Sequence, residues 1–231
     1  MGQQVKTFKL PSNKIIDPAN EYFTNKAGIG WNRNGRDRII ELVKDKQNVI
    51  DVGAHVGITT VHWLMAGFKR VDCFEINPSH YECLLENTAE YKDQITYHPV
   101  GCSYETKTLE AAYRSPNNSG SFQMLDEHVA ATMPDKHKFL VDVVPLDNFK
   151  FESVSLIKID VEGWEYEVLR GAMSTIREHQ PILFVEYGHG DARKSMHKYD
   201  DSKFQEMLTE LNYCELEVTG DAIFVPNSFV E

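Results

Sequence analysis

The chain has 231 residues, 42% of them hydrophobic, and sets 24 Lys and Arg against 35 Asp and Glu for a formal net charge of −11; these are the proportions of one ordinary globular domain. A chain of this length buries roughly 70% of the surface its unfolded form exposes, so its stability requires neither disulfides nor a structural metal. The acidic balance repels phosphate backbones and disfavours nucleic acid or anionic lipid as default partners.

Residues 1 to about 30 are polar and interrupted by Pro11, Pro18, Gly28 and Gly30, which predicts an irregular arm without the basic-then-apolar layout of a signal peptide. Ile39, Ile40, Leu42 and Val43 then recur at helical spacing within Arg33 to Lys46, so residues 1–47 read as an arm and helix packed on the core. From residue 48 the pattern alternates: Asn48 to Val52 extended, Ile58 to Ala66 helical, Val71 to Phe74 extended, Ser79 to Tyr91 helical, Thr96 to Val100 extended. That order predicts a parallel sheet. Between about residues 103 and 145 the rhythm breaks. Ser115-Pro116-Asn117-Asn118-Ser119-Gly120-Ser121 is a dense loop signal, flanked by extended pieces at Lys107 to Tyr113 and Phe139 to Val144; this is an insertion placed over a site.

The alternation resumes with Val154 to Ile159 as strand, Glu165 to His179 as helix, Ile182 to Glu186 as strand and Ser202 to Leu211 as helix. A closing hairpin, Tyr213 to Val218 and Asp221 to Val225, turns at Thr219-Gly220. The expected fold class is α/β: one doubly wound, Rossmann-like domain over residues 48–231, with a mostly parallel twisted sheet, helices on both faces and a C-terminal antiparallel hairpin. Cys73, Cys83, Cys102 and Cys214 form no C-x-x-C pair and read as reduced thiols. No window approaches ~18 consecutive apolar residues, and the expected location is cytoplasmic, with no membrane partner.

The strongest local signal is Val49-Ile50-Asp51-Val52-Gly53-Ala54-His55-Val56-Gly57-Ile58-Thr59-Thr60, an apolar strand, an acid, two glycines four apart and a helix start. Gly53 and Gly57 free the backbone to turn sharply, and the helix N-terminus presents free N–H groups to a ligand. The dinucleotide fingerprint G-x-G-x-x-G needs glycine at positions held here by His55 and Ile58, which disfavours a nicotinamide oxidoreductase; a P-loop lacks its Gly-Lys-Ser/Thr. Asp51 would repel a pyrophosphate yet suits an ammonium or a sulfonium, which points to S-adenosylmethionine. Glu75, 24 residues after Asp51, ends the next strand and is placed to accept both hydroxyls of a ribose. Asn77 and Pro78 fit a helix start. A third run, Leu156 to Glu165, delivers Asp160 and Glu162 to a strand's carboxyl end, and a fourth, Pro181 to His189, brings Glu186 and His189 to the same edge, where ligands of open α/β sheets bind.

With these motifs the sequence resembles the FkbM-type O-methyltransferases, which use S-adenosylmethionine. The resemblance rests on VIDVGAHVG (49–57), FEINP (74–78), VDVVPLDNF (141–149), IKIDVEGWEYEVLRGA (157–172) and PILFVE (181–186). It implies a Rossmann-like methyltransferase fold with an antiparallel last strand, and a hydroxyl acceptor on a sugar or another small molecule. It further implies that Asp51, Gly53, Ala54, His55, Gly57, Ile58 and Thr59 form the methionine-side loop. Glu75 then resembles the ribose acid, with Ile76 beside the adenine, Gly101 and Cys102 the other wall of the adenine site, and Asp160 the acid that reaches the methionine amine or the acceptor hydroxyl; Asn77, next to Ile76, is counted with the cofactor-binding residues. The family's usual Asn is replaced by His55.

Methyl transfer to an alcohol needs alignment and an acceptor for the hydroxyl proton. Asp160, Glu162, Glu186 and His189 are the candidates, with Asp160 near the methyl and His189 as base; Glu162 also suits a helix-capping role. The same four side chains offer ligands for a divalent ion, although their sequence spacing is not a metal pattern, and no metal is assigned. Trp31 and Trp164 are candidate sugar-stacking faces and Trp63 reads as core; the loop with Ser119 and Ser121 is a candidate to close over the acceptor. Two alternatives stand beside the transferase: a non-catalytic nucleoside-binding module, and an RNA ribose 2′-O-methyltransferase, which would want a second lysine beyond Lys158.

Overall fold

The computed structural model describes residues 33–113, 122–125, 138–186, 201–218 and 221–230. Its main sheet has seven strands: β1 (Asn48–Val52), β2 (Arg70–Phe74), β3 (Ile95–His98), β8 (Val154–Ile159), β9 (Ile182–Val185), β10 (Tyr213–Val218) and β11 (Ala222–Pro226), in the order β10-β11-β9-β8-β1-β2-β3. β1 pairs in parallel with β2 and β8, and β8 in parallel with β9. β11 runs antiparallel to both β9 and β10. The expected parallel sheet with a C-terminal antiparallel hairpin is what forms. Its strand order reverses between β1 and β8, the switch point at which such sheets bind ligands.

Period-2 side-chain alternation divides the core into two layers. Ile50, Val52, Leu183, Val185 and Phe224 face one layer with Trp164, Val168, Leu169 and Phe204. Val49, Ile182, Phe184, Ile223 and Val225 face the other with Ile39, Trp63, Phe68 and Leu84. Helix α1 (Arg33–Leu42) packs Ile39 into that second layer, and Arg38 bonds Glu217 of β10 at 2.9 Å. Residues 1–32 of the expected arm lie outside the described residues.

Three elements depart from the periodicity. Helix α2 (Ile58–Met65) is as expected, whereas α3 (Pro78–Asn87) stops before Tyr91 and gives way to a tight turn at Ala89–Gln94. Thr88 donates its hydroxyl to the Leu84 carbonyl at 2.7 Å, a side-chain bond that competes with continuing the helix. The expected helix from Glu165 to His179 is two helices, α4 (Glu165–Arg170) and α5 (Met173–His179). Gly171 stands between them as the C-cap of α4, and a Cβ there would lie 1.9 Å from the Ser103 carbonyl oxygen. The new N-terminus is capped from a distance: Asp147 accepts the N–H groups of Ser174 and Thr175 at 2.9 and 2.8 Å. The insertion, finally, is more than a loop with flanking strands. β4 (Gly101–Cys102), β5 (Lys107–Tyr113), β6 (Phe122–Met124) and β7 (Phe139–Val144) build a second sheet, order β4-β7-β5-β6. Helix α6 (Asp201–Glu210) completes the described elements.

Candidate active site

The site gathers where β1, β2, β8 and β9 end. After β1 the chain turns through Gly53, His55 and Gly57, at φ values of 77°, 51° and 90°. The turn is stitched to β2, since the N–H groups of Gly53 and Ala54 both donate to the Phe74 carbonyl, at 3.0 and 3.1 Å. Glycine is required at these positions by the protein itself. A Cβ on Gly53 would lie 1.9 Å from the Asp160 carbonyl oxygen, and one on Gly57 would meet the Thr88 and Leu84 side chains at 2.8 and 2.9 Å. Ala54, Ile58 and Thr59 are buried, so within this loop Gly53 and His55 keep partial exposure.

Asp51 is corrected by the structure. Expected to face a cationic ligand, it is fully buried and accepts the hydroxyls of Thr59 and Thr60 at 2.9 and 2.8 Å. Its other oxygen lies 3.3 Å from the Lys158 ammonium. Lys158, named above only for the ribose-methyltransferase alternative, has a buried pairing that the sequence reading did not foresee. It donates to the Gly53 carbonyl at 2.7 Å and stands 3.7 Å from Asp160. Burial alone would lower its pKa, yet Asp160 and Asp51, with a smaller contribution from Asp221, push it up to about 12. The signal was available: a lysine inside the apolar run Leu156 to Ile159 needs a buried carboxylate partner.

Glu75 stands at the end of β2, 6% exposed. One oxygen accepts the His55 N–H at 2.7 Å and the other the Asn77 N–H at 2.8 Å, which fixes the carboxylate plane while leaving lone pairs for further donors. The Asn77 side chain is committed elsewhere: it caps α3 by accepting from Ser79 N–H at 2.9 Å, and donates to the Tyr113 hydroxyl at 2.6 Å. The cap expected at Asn77-Pro78 is therefore present. Asn77 also ties Glu75 to the inserted sheet. His80 was not foreseen; its Nδ1 approaches Glu75 at 3.6 Å and its ring meets that of His55 edge-on at 4.3 Å. Desolvation first, then the neighbouring His80 and Lys158, hold the His55 imidazole well below its ordinary pKa, so it is neutral at pH 7. Ile76 is half-buried and packs against Gly101, where a Cβ would stand 2.4 Å from its Cδ1. The Cys102 thiol is fully buried in the core, where desolvation raises its pKa.

The acid-bearing strand ends meet as expected. Asp160 N–H continues the ladder to Val52 and Glu186 N–H to Ile159, at 3.1 and 2.8 Å. Asp160, Glu162 and Glu186 bring one oxygen each within 4.8 Å of one another, all half-buried. Three-dimensional proximity thus supplies what sequence spacing lacked, a carboxylate set of the kind hard divalent cations accept. Glu162 takes a left-handed φ of 56° and Gly163 one of 101°. The Glu165 carboxylate braces this bend, accepting from Val161 and Gly163 N–H at 3.2 and 3.0 Å. Burial raises Glu165 to about 7, against the opposing pull of those N–H groups.

Trp164 is the second correction. It is 8% exposed, packed in the core, and its indole N–H donates to Ser103 Oγ at 3.3 Å, so it offers no face to a sugar. Trp63 is core, as expected. Trp31, Ser119, Ser121 and His189 lie outside the described residues.

Residues 51–217 match the model of the Methyltransferase FkbM domain. The chain belongs to that family. Among curated proteins, Methyltransferase 1 of Beauveria bassiana (strain ARSEF 2860) is 26% identical over 151 residues, covering 55% of this chain and 59% of that protein. The FkbM chain therefore spans about three-fifths of its curated relative. Among solved structures, Methyltransferase FkbM from Methylobacillus flagellatus KT superposes with a TM-score of 0.53 at 21% identity, over 78% of this chain and 43% of that one. The likeness establishes the shared Rossmann-like fold. The FkbM match begins at Asp51 and ends in β10, so it takes in the glycine turn, Glu75, the inserted sheet and the three-carboxylate rim.

Proposed function

We propose that this FkbM-family chain binds S-adenosylmethionine and transfers its methyl group to a hydroxyl oxygen of a small-molecule or glycan acceptor. The observation that carries the reading is Glu75: a carboxylate held by two backbone N–H groups at a strand's carboxyl end, beside a glycine turn. Such an acceptor-only group suits the two hydroxyls of a ribose. The residues present fit the cofactor in charge as well. The neutral His55 leaves the turn without added positive charge, and Asp160 provides an anion for an ammonium. When bound, S-adenosylmethionine supplies an electrophilic methyl on a positively charged sulfur. The protein's part is to hold the acceptor oxygen in line and to receive its proton, for which Asp160, Glu162 and Glu186 form the rim and His189 follows in sequence.

The ribose 2′-O-methyltransferase reading is weakened by Lys158, whose ammonium is buried against Asp51 and the Gly53 carbonyl and so is withdrawn from catalysis. The acidic net charge of −11 further supports a non-nucleic-acid acceptor. No helix among the described residues is long and apolar enough to cross a membrane, and we take the site of action to be cytoplasmic. The test is calorimetric titration of the full chain with S-adenosylhomocysteine and with NADH, comparing wild type with Glu75→Ala. Saturable binding of the first ligand alone is expected, weakened at least about 10-fold by loss of charge-assisted hydrogen bonds. Preference for NADH, or an unaltered affinity in the variant, would refute the reading; binding without turnover on any hydroxylated acceptor would favour a nucleoside-binding module.

A further inference from the structure

The charged groups between the glycine turn and the rim form a series graded from core to surface. Asp51 is 0% exposed, Lys158 4% and Asp160 15%. Asp51 and Lys158 are register partners across β1 and β8, so their side chains leave the same face of the sheet side by side. Lys158 and Asp160 are two residues apart, which keeps them on one face as the strand ends. The Lys158 ammonium is thus surrounded by acceptors: the Gly53 carbonyl at 2.7 Å, the Val52 carbonyl at 3.4 Å, Asp51 at 3.3 Å and Asp160 at 3.7 Å. Two of these, Asp51 and Val52, end β1, Gly53 opens the turn after it, and Asp160 opens the loop after β8. Those segments also touch backbone to backbone at Gly53 and Asp160.

We infer that Lys158 is a positioning residue, which locks the Asp160 carboxylate against the glycine turn and so shapes the methionine end of the cofactor site. The inference rests on the methyltransferase reading and adds to it a residue acting entirely through another. Asp51 orients Lys158, being itself fixed by Thr59 and Thr60. Lys158 orients Asp160, the only member of the series with surface at the rim to offer a ligand. Glu165 pins the far side of the same loop through Val161 and Gly163. The loop that carries Asp160 and Glu162 is therefore held at both ends by buried ionisable side chains. An apolar residue at position 158 would fill the strand, but would leave Asp160 without its tether.

The test is titration of S-adenosylhomocysteine into wild type, Lys158→Met/Asp51→Asn, Asp160→Asn and the triple variant, with thermal unfolding as the check of fold. Changing Lys158 and Asp51 together avoids leaving an uncompensated charge in the core. The double variant and Asp160→Asn are each expected to weaken binding about 10-fold, and the triple variant to lose no more than about twofold beyond either, because both changes break one interaction. If the double variant melts below the titration temperature, Lys158→Gln/Asp51→Asn, which retains donors for the two carbonyls and leaves no buried charge unpaired, takes its place in the same cycle. Unchanged affinity in the folded lysine variant overturns the inference, as do additive losses approaching about 100-fold. Wild-type protein that binds no S-adenosylhomocysteine overturns it together with the methyltransferase reading; wild-type binding with absent or additive losses overturns the inference alone.

Discussion

Replacing Gly53 by alanine separates two reasons for a glycine in the turn after β1: room for a ligand, or room for the protein's own backbone. The left-handed φ of 77° costs a non-glycine residue about 1–2 kcal/mol. The new Cβ would lie 1.9 Å from the Asp160 oxygen, whereas a close carbon–oxygen contact is about 3.3 Å, so one partner must retreat by about 1.4 Å. Retreat is resisted, since Asp160 N–H is bonded to Val52 at 3.1 Å and the strand behind it is central in the sheet. Forced overpacking of this kind adds about 1–3 kcal/mol. Together the loss is about 2–5 kcal/mol, or about 4–20 °C in melting temperature for a chain of this size. Gly67→Ala is the control, because Gly67 has a φ of 98° but nothing within 4 Å of its would-be Cβ; it should lose only the conformational part, about 1–2 kcal/mol. Thermal unfolding by circular dichroism reads both. Equal melting temperatures for the two variants would refute the packing argument, and a Gly53→Ala protein that melts like the control but no longer binds S-adenosylhomocysteine would return the glycine to the ligand.

Glu165 makes stability depend on pH. Its folded pKa is raised from the ordinary 4.5 to about 7, so between those values the native state holds a proton that the unfolded state has lost, and stability falls as pH rises through that window. The loss amounts to about 3 kcal/mol, and urea titrations of wild type and Glu165→Gln from pH 4.5 to 7.5 should converge at the acid end and separate at the neutral end; parallel curves would contradict the assignment. Trp164→Ala should destabilise by about 3–5 kcal/mol, as expected of a buried aromatic, and a variant of wild-type stability would place the indole in a pocket after all.

What the sequence made legible is what local chemistry dictates. Asp51 to Gly57 could be read as strand, turn and helix because an apolar run, two glycines and a helix start are written consecutively, and Asn77-Pro78 could be read as a cap because the donor groups it satisfies lie two and three residues away. The second sheet could not be assembled in the same way. Its strands pair across long separations, Lys107 with Val143 and Ala111 with Met124, and no periodicity announces a partner 36 residues distant. The break between α4 and α5 is equally non-local: the helical pattern runs through Gly171, and only the Ser103 carbonyl pressed against it and the Asp147 cap reveal two helices.

The misplacement of Asp51 has the same origin and a more specific lesson. In the sequence an acid at the end of β1, followed at once by the glycine turn, reads as a ligand group because no cation adjoins it. In the fold its cation is supplied by the protein, from the parallel strand alongside, and the charge that remains for a ligand moves one step outward to Asp160. A buried lysine in an apolar strand implies such a transfer in general: one carboxylate is consumed in neutralising it, so of two acids at neighbouring strand ends the more exposed one faces the ligand. For this chain that rule selects Asp160 over Asp51. It also explains why the site keeps its anionic character at the rim while holding a lysine at its centre, since Asp51 and Asp160 share one ammonium and leave a net negative charge.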